Sequence, residues 1–170
     1  MKKTTILATL FIAICGVLFL NSCKDDDKPT AAAEFIADDN TFAGFENWTL
    51  NSTKLGIDPS LGMAHAGNDS TAKREIYFKD NVAPANGVYP VGALIVKHTS
   101  NKDGSIMYTG MAKRGNNFDA AANDWEYFII ESSGKIVNDP TKGILRGSAL
   151  NNGGCRGCHS KATIDYVFDK

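Results

Sequence analysis

Five residues near the C-terminus, Cys155-Arg156-Gly157-Cys158-His159, combine two thiols three positions apart with an imidazole directly after the second. Each group has its own chemical use. Thiols so spaced can add to the two vinyl groups of a haem from one short turn, forming thioether bonds. The adjoining imidazole can then bind the iron on its proximal side. The same residues also admit a dithiol redox pair or half of a zinc site. A dithiol oxidoreductase motif follows a strand in a βαβ unit, and no such pattern precedes Cys155. A structural zinc site takes four ligands, and the other two cysteines, Cys15 and Cys23, lie at the far end of the chain. The spacing therefore predicts covalent haem c, with Cys155 and Cys158 as thioether donors and His159 as the iron ligand.

Eleven residues follow His159, so a second protein ligand has to come from upstream. Met63, His65, His98, Met107 and Met111 could supply one. A sixth ligand would make the iron an electron carrier, whereas an open position would bind small molecules. The residue types leave both open.

The N-terminus says where such a group would be attached. Lys2 and Lys3 precede an apolar run from Ile6 to Leu20, which ends at Leu20-Asn21-Ser22-Cys23. This has the form of a secretory signal, and its end resembles a bacterial lipobox, cleaved before a cysteine that is then acylated. The alternative is an uncleaved anchor, but the run is fifteen residues long, short of the ~20 that span a bilayer as a helix. Cys15 then leaves with the signal, Cys23 takes a lipid, and Cys155 with Cys158 takes the haem. No disulfide framework remains.

Cleavage before Cys23 removes 22 of 170 residues and leaves 148, enough for one domain with its own core. Losing Lys2 and Lys3 takes the formal net charge from −1 to −3. A chain so weakly charged, without a basic run, offers no case for nucleic-acid binding. Residues 24–33 are polar and then small, which suits a tether. The organisation expected is a signal over 1–22, a lipid-bearing tether over 23–33 and a haem domain over 34–170. Lys24 after the lipid cysteine resembles outer-membrane sorting, so the protein is expected to be exported and lipid-anchored in a bacterial envelope, at the outer membrane.

The elements that must position the motif are mostly strands. Phe35, Phe42, Phe45 and Trp48 recur at helical intervals and predict a short amphipathic helix, with Asn40 or Thr41 as N-cap. Asn51 to Thr71, rich in Gly, Asn, Ser and Pro, reads as loop. Strand-like alternation follows over Ala72–Lys79, Ala93–His98, Ser105–Ala112 and Asp124–Glu131, with turn signals at Asp103-Gly104 and Ser132-Ser133-Gly134. Four strands with hairpin-length links argue for an antiparallel, mainly β (α+β) domain. Lys142 to Leu150 reads as a brief helix and Asn151 to Gly154 as a loose approach to the motif.

Two cations stand where the alternation predicts burial. Arg74 shares a strand face with Ile76 and Phe78, and Lys97 shares one with Ala93 and Ile95. A buried unpaired charge costs several kcal/mol. Each therefore needs a partner, such as a haem propionate or an anionic iron ligand, or else snorkels to water from a sheet edge.

Taken together, the C-terminal pentapeptide followed by Asp165-Tyr166-Val167-Phe168, with Gly92-Ala93-Leu94-Ile95-Val96-Lys97 and Asp124-Trp125-Glu126-Tyr127-Phe128 upstream, resembles the cytochrome P-460 family, which includes the cytochromes c′-beta. The resemblance runs in order over Ala72 to Phe168. It implies a mainly antiparallel β fold, a homodimer, and one c-type haem whose iron is five-coordinate through His159. It also implies that Lys97 is the lysine cross-linked to the haem ring in the enzymes of the family, and that Arg74 lines the distal pocket. Those enzymes oxidise hydroxylamine and related nitrogen species, passing electrons to a redox partner protein. The c′-beta relatives bind nitric oxide or carbon monoxide in an aromatic pocket, for which Phe78, Tyr108 and Phe128 are the candidates here. No Asp or Glu occurs between Thr141 and Ile164 to serve as the distal carboxylate of the active members.

Overall fold

The computed structural model describes residues 34–57 and 69–168. The expected signal, Cys23 and its tether, and the ligand candidates Met63 and His65 lie outside the described residues.

The alternating segments form strands and pair in sequence order. β1 (Thr49–Leu55), β2 (Lys73–Phe78), β3 (Leu94–Ser100), β4 (Ile106–Lys113) and β5 (Trp125–Ile130) are neighbours in one antiparallel sheet. β6 (Asn138–Asp139) and β7 (Gly143–Ile144) make a small separate ladder, and β8 (Arg146–Gly147) adds a sixth strand beside β5. A single α-helix among the described residues, α1 (Gly154–His159), carries the cysteines. The domain is thus mainly antiparallel β, as the alternation predicts. No helix among the described residues is long and apolar enough to cross a membrane.

Because successive side chains leave a strand on opposite sides, the sheet has two faces with different coverings. One bears Leu94, Val96, Ala112, Phe128 and Ile130, packed beneath Ala37, Phe42 and Phe45 from the N-terminal segment. Gly110 makes that approach possible, since a Cβ there would stand 3.0 Å from the Phe42 ring. The other face bears Ile76, Phe78, Ile95, Met111, Trp125 and Tyr127, packed with Tyr89, Val167 and Cys155. The C-terminal motif lies over this second face.

Three expected elements differ. The aromatic segment 34–48 is not an amphipathic helix. It is a run of turns ending in a 3₁₀ turn at Phe45–Asn47, entered through Gly44 at φ 67°. Its aromatic spacing reports a lid over a sheet face, where Phe42 and Phe45 are fully buried, and not a helical stripe. β1 forms where a loop was expected. It is an edge strand with mostly exposed side chains, held by its ladder to β2, so it leaves no hydrophobic alternation to read. Residues 142–150 hold β7 and β8, not a helix, with Gly143 and Gly147 at positive φ breaking any helical run.

Candidate functional site

The cysteines reach the sheet on one short helix. Asn151, Asn152 and Gly153 all adopt left-handed backbone (φ 57°, 54° and 77°), turning the chain into α1. On a helix, positions three and four apart share a face, so Cys155, Cys158 and His159 project together. Arg156 points elsewhere and donates to Asp119 Oδ2 at 3.0 Å, tying the helix to the loop before β5.

Cys155, Cys158 and His159 border a cavity of about 1000 Å³, at the upper end of the ~300–1,000 Å³ of small-molecule and cofactor sites. From the sheet, Arg74, Ile95, Lys97, Met107, Met111 and Tyr127 line it. The two cations, each expected on a buried face of its own strand, therefore share a cavity with the thiols. Arg74 is 3% exposed. Its guanidinium donates to the Gly56 carbonyl, while its Nε finds no partner among the described residues. The Tyr127 hydroxyl is likewise buried without a partner there, and burial raises its pKa.

His159 is fixed in one tautomer. Its Nδ1 lies 2.8 Å from the Tyr166 carbonyl oxygen. A carbonyl only accepts, so Nδ1 carries the proton and Nε2 keeps its lone pair. The rings of Tyr127 and Phe168 flank the imidazole at 5.2 and 5.5 Å. Burial pushes its pKa down to about 4; the Tyr166 bond opposes this and the charge of Lys97 adds to it. The ring is neutral at pH 7, as metal ligation requires. Burial also raises the Cys155 pKa against the opposing charge of Lys97. A thiol so poised lacks the depressed pKa of a reactive redox dithiol.

Comparison with protein-family models, with curated proteins and with solved structures returns no match.

The structure brings Arg74, Lys97, Cys155, Cys158 and His159 together and separates the three aromatic candidates. Tyr108 is not at the cavity. It pairs with His98 across β3 and β4, stacks on that ring at 4.8 Å, and packs on Phe45 on the opposite face. Phe128 borders the cavity, but its ring packs edge-on against Phe42 at 5.0 Å on that same opposite face. Phe78 is on the correct face and is buried against Tyr89, outside the cavity lining. The aromatic walls are instead Tyr127 and Phe168. Tyr127 alternates with Phe128 along β5, and only the burial of the Phe128 ring under Phe42 tells the two apart. Of the sixth-ligand candidates, Met107 and Met111 line the cavity, and His98 faces away beside Glu75.

Further cations border the space: Lys54, Lys142 and Arg146. Arg146 is already committed to the buried Glu126, at 2.7 and 2.8 Å. Among the described residues bordering the cavity, none is an Asp or Glu. No three His, Cys, Asp or Glu side chains among the described residues gather as a metal cage. The thiols and the imidazole offer separate bonding points along one wall, with cations across the cavity.

Proposed function

We propose that this chain is a lipid-anchored c-type haem protein of the cytochrome P-460 type, acting on hydroxylamine or nitrogen oxides at an iron held by His159 alone. The observation that carries the reading is one cavity of about 1000 Å³ shared by Cys155, Cys158, His159, Lys97 and Arg74. The residues fit the group. Cys155 and Cys158 would hold it through thioethers, and Nε2 of His159, deprotonated because Nδ1 donates to Tyr166, would bind its iron. The Arg74 Nε, without a partner among the described residues, suits an anionic propionate or ligand. Haem so bound supplies a redox-active iron able to take up small nitrogen species.

The protein's own residues then do four things. The thioether cysteines anchor. His159 donates its Nε2 pair, with Tyr166 holding the ring in one tautomer. Arg74 attracts and orients anions; Lys97 would do so as a free ammonium, or in the enzyme reading would instead be the residue bonded to the haem ring and no longer a cation. Tyr127, Ile95 and Met111 exclude water from the apolar wall. Electrons would pass to a redox partner protein, and the lipid on Cys23 would keep the protein at the envelope, most simply the outer membrane. A homodimer is the expected assembly.

One observation favours a second reading, a nitric oxide or carbon monoxide binder of the c′-beta type. The described residues bordering the cavity provide cations, amides and hydroxyls but no carboxylate for proton transfer. Intact mass and absorbance spectra of the exported protein test the first step: haem covalently retained after denaturation is expected, and free haem refutes it. Hydroxylamine-dependent reduction of an acceptor, with haem still bonded to Lys97 in a peptide digest, selects the enzyme. Tight nitric oxide binding without turnover selects the gas binder. A six-coordinate spectrum lost on replacing Met107 or Met111 selects an electron carrier.

A further inference from the structure

The proximal side of the site is held by a buried device at the C-terminal turn. Asp165 has no side-chain exposure, and its carboxylate accepts Lys113 Nζ at 2.9 Å on both oxygens. It also accepts the Tyr89 main-chain N–H at 2.7 Å and Asn123 Nδ2 at 3.0 Å. Its own main-chain carbonyl accepts Trp125 Nε1 at 2.7 Å. The next residue, Tyr166, is the one whose carbonyl takes the His159 proton.

That turn would not hold itself. The Val167 N–H returns to the Ile164 carbonyl at 2.8 Å, with Asp165 and Tyr166 both left-handed at φ 44° and 64°. Paired positive φ values are the signature of a type I′ turn, whose favoured residues are Asn and Gly. A tyrosine there is disfavoured and persists only where its surroundings over-determine it. The surroundings here are the four donors on Asp165, from β4, β5, the loop before β5 and the segment before β3.

We infer that Asp165, clamped by Lys113, is the positioning residue that aims the Tyr166 carbonyl at His159 and so sets the donor strength of the iron ligand. This rests on the haem reading above. An acceptor on Nδ1 makes the imidazole a stronger donor through Nε2 and orients its ring. Lys113 and Asp165 touch neither the cavity nor the reacting atoms; they act through the turn.

The test uses the full exported holoprotein. Asp165→Asn keeps the shape but removes the charge that holds Lys113, and Lys113→Met removes the clamp from the other side. Both are expected to lower the iron–histidine stretching frequency of the ferrous protein and raise the midpoint potential. Lys113→Arg, which keeps the cation, should restore both readings towards wild type. Unmoved frequency and potential in haem-bearing Asp165→Asn and Lys113→Met would overturn the inference and leave the haem reading intact. A wild-type chain without covalent haem would overturn both. If neither variant accumulates, Asn123→Ala removes a single donor. A smaller shift in the same direction then supports the clamp, and an unmoved band overturns it.

Discussion

Among the described glycines, Gly134 is the position where one added methyl group should cost most. It sits in the turn after β5 at φ 87°. A Cβ there would stand 2.3 Å from the Phe42 carbonyl oxygen, 2.4 Å from its carbon and 2.7 Å from the Ala43 nitrogen. All three are main-chain atoms, so no rotamer change relieves the clash, and Phe42 is fully buried beneath them. Gly134→Ala therefore carries two penalties: a left-handed alanine, about 1–2 kcal/mol, and overpacking, roughly 1–3 kcal/mol. Gly104, at φ 79° with nothing within 4 Å of its would-be Cβ, carries only the first. The difference between the two variants isolates the steric part. At about 4 °C per kcal/mol for a domain of this length, Gly104→Ala should melt about 4–8 °C below wild type and Gly134→Ala about 8–20 °C below. Thermal melts followed by circular dichroism measure both. Gly134 packs on the face away from the cavity, so if haem is bound as proposed, the spectrum of the folded variant should be unchanged. If Gly134→Ala melts with Gly104→Ala or above it, the N-terminal lid does not press on this turn as described.

Other outcomes follow from the same geometry. Arg74→Met should weaken azide binding to the ferric protein about 10-fold or more, from a charge-assisted hydrogen bond of ~1.5–3 kcal/mol. Binding of neutral carbon monoxide to the ferrous form should stay within about twofold; equal losses for both ligands would remove Arg74 from any anion-recognising role. Lys113→Met leaves the buried Asp165 carboxylate without its cation and should cost about 3–5 kcal/mol in urea unfolding. Arg156→Ala breaks a pair that is 41% exposed on the arginine side and should cost under about 1 kcal/mol; a reversed order contradicts the burial argument. In a haem-free chain with both motif cysteines replaced by serine, His159 has a pKa of about 4 against an ordinary ~6.5. As pH falls, the unfolded state takes up the proton first. Stability is therefore full above pH 6.5 and declines by about 3 kcal/mol towards pH 4. Urea midpoints at pH 7.5, 5.5 and 4.5 should fall in that order, and the part of the fall due to His159 should vanish in His159→Phe.

Much of the sheet was legible in the chain because β2 to β5 each bury at least one face, which leaves period-two alternation to read. The same alternation placed Arg74 with Ile76 and Lys97 with Ile95, and both cations do line the cavity. It failed where burial was absent. β1 is a polar edge strand, and its pairing is written in backbone hydrogen bonds that carry no residue signature. It failed again for Tyr108 and Phe128, because strand periodicity names two faces without saying which will be covered by what.

The spacing of Cys155, Cys158 and His159 is a property of the sequence alone: any helical turn there puts the three on one face, whatever surrounds it. So is the strand register that pairs a cation with apolar neighbours. Only the tertiary structure decided which face is the lid and which the cavity, since that depends on Phe42 reaching Gly110, far along the chain. Only it showed that the tail turns back to offer the Tyr166 carbonyl to His159, held by an ion pair between residues 52 apart. Such contacts join segments with no local preference for one another. They form because a buried carboxylate must find its donors wherever the fold brings them.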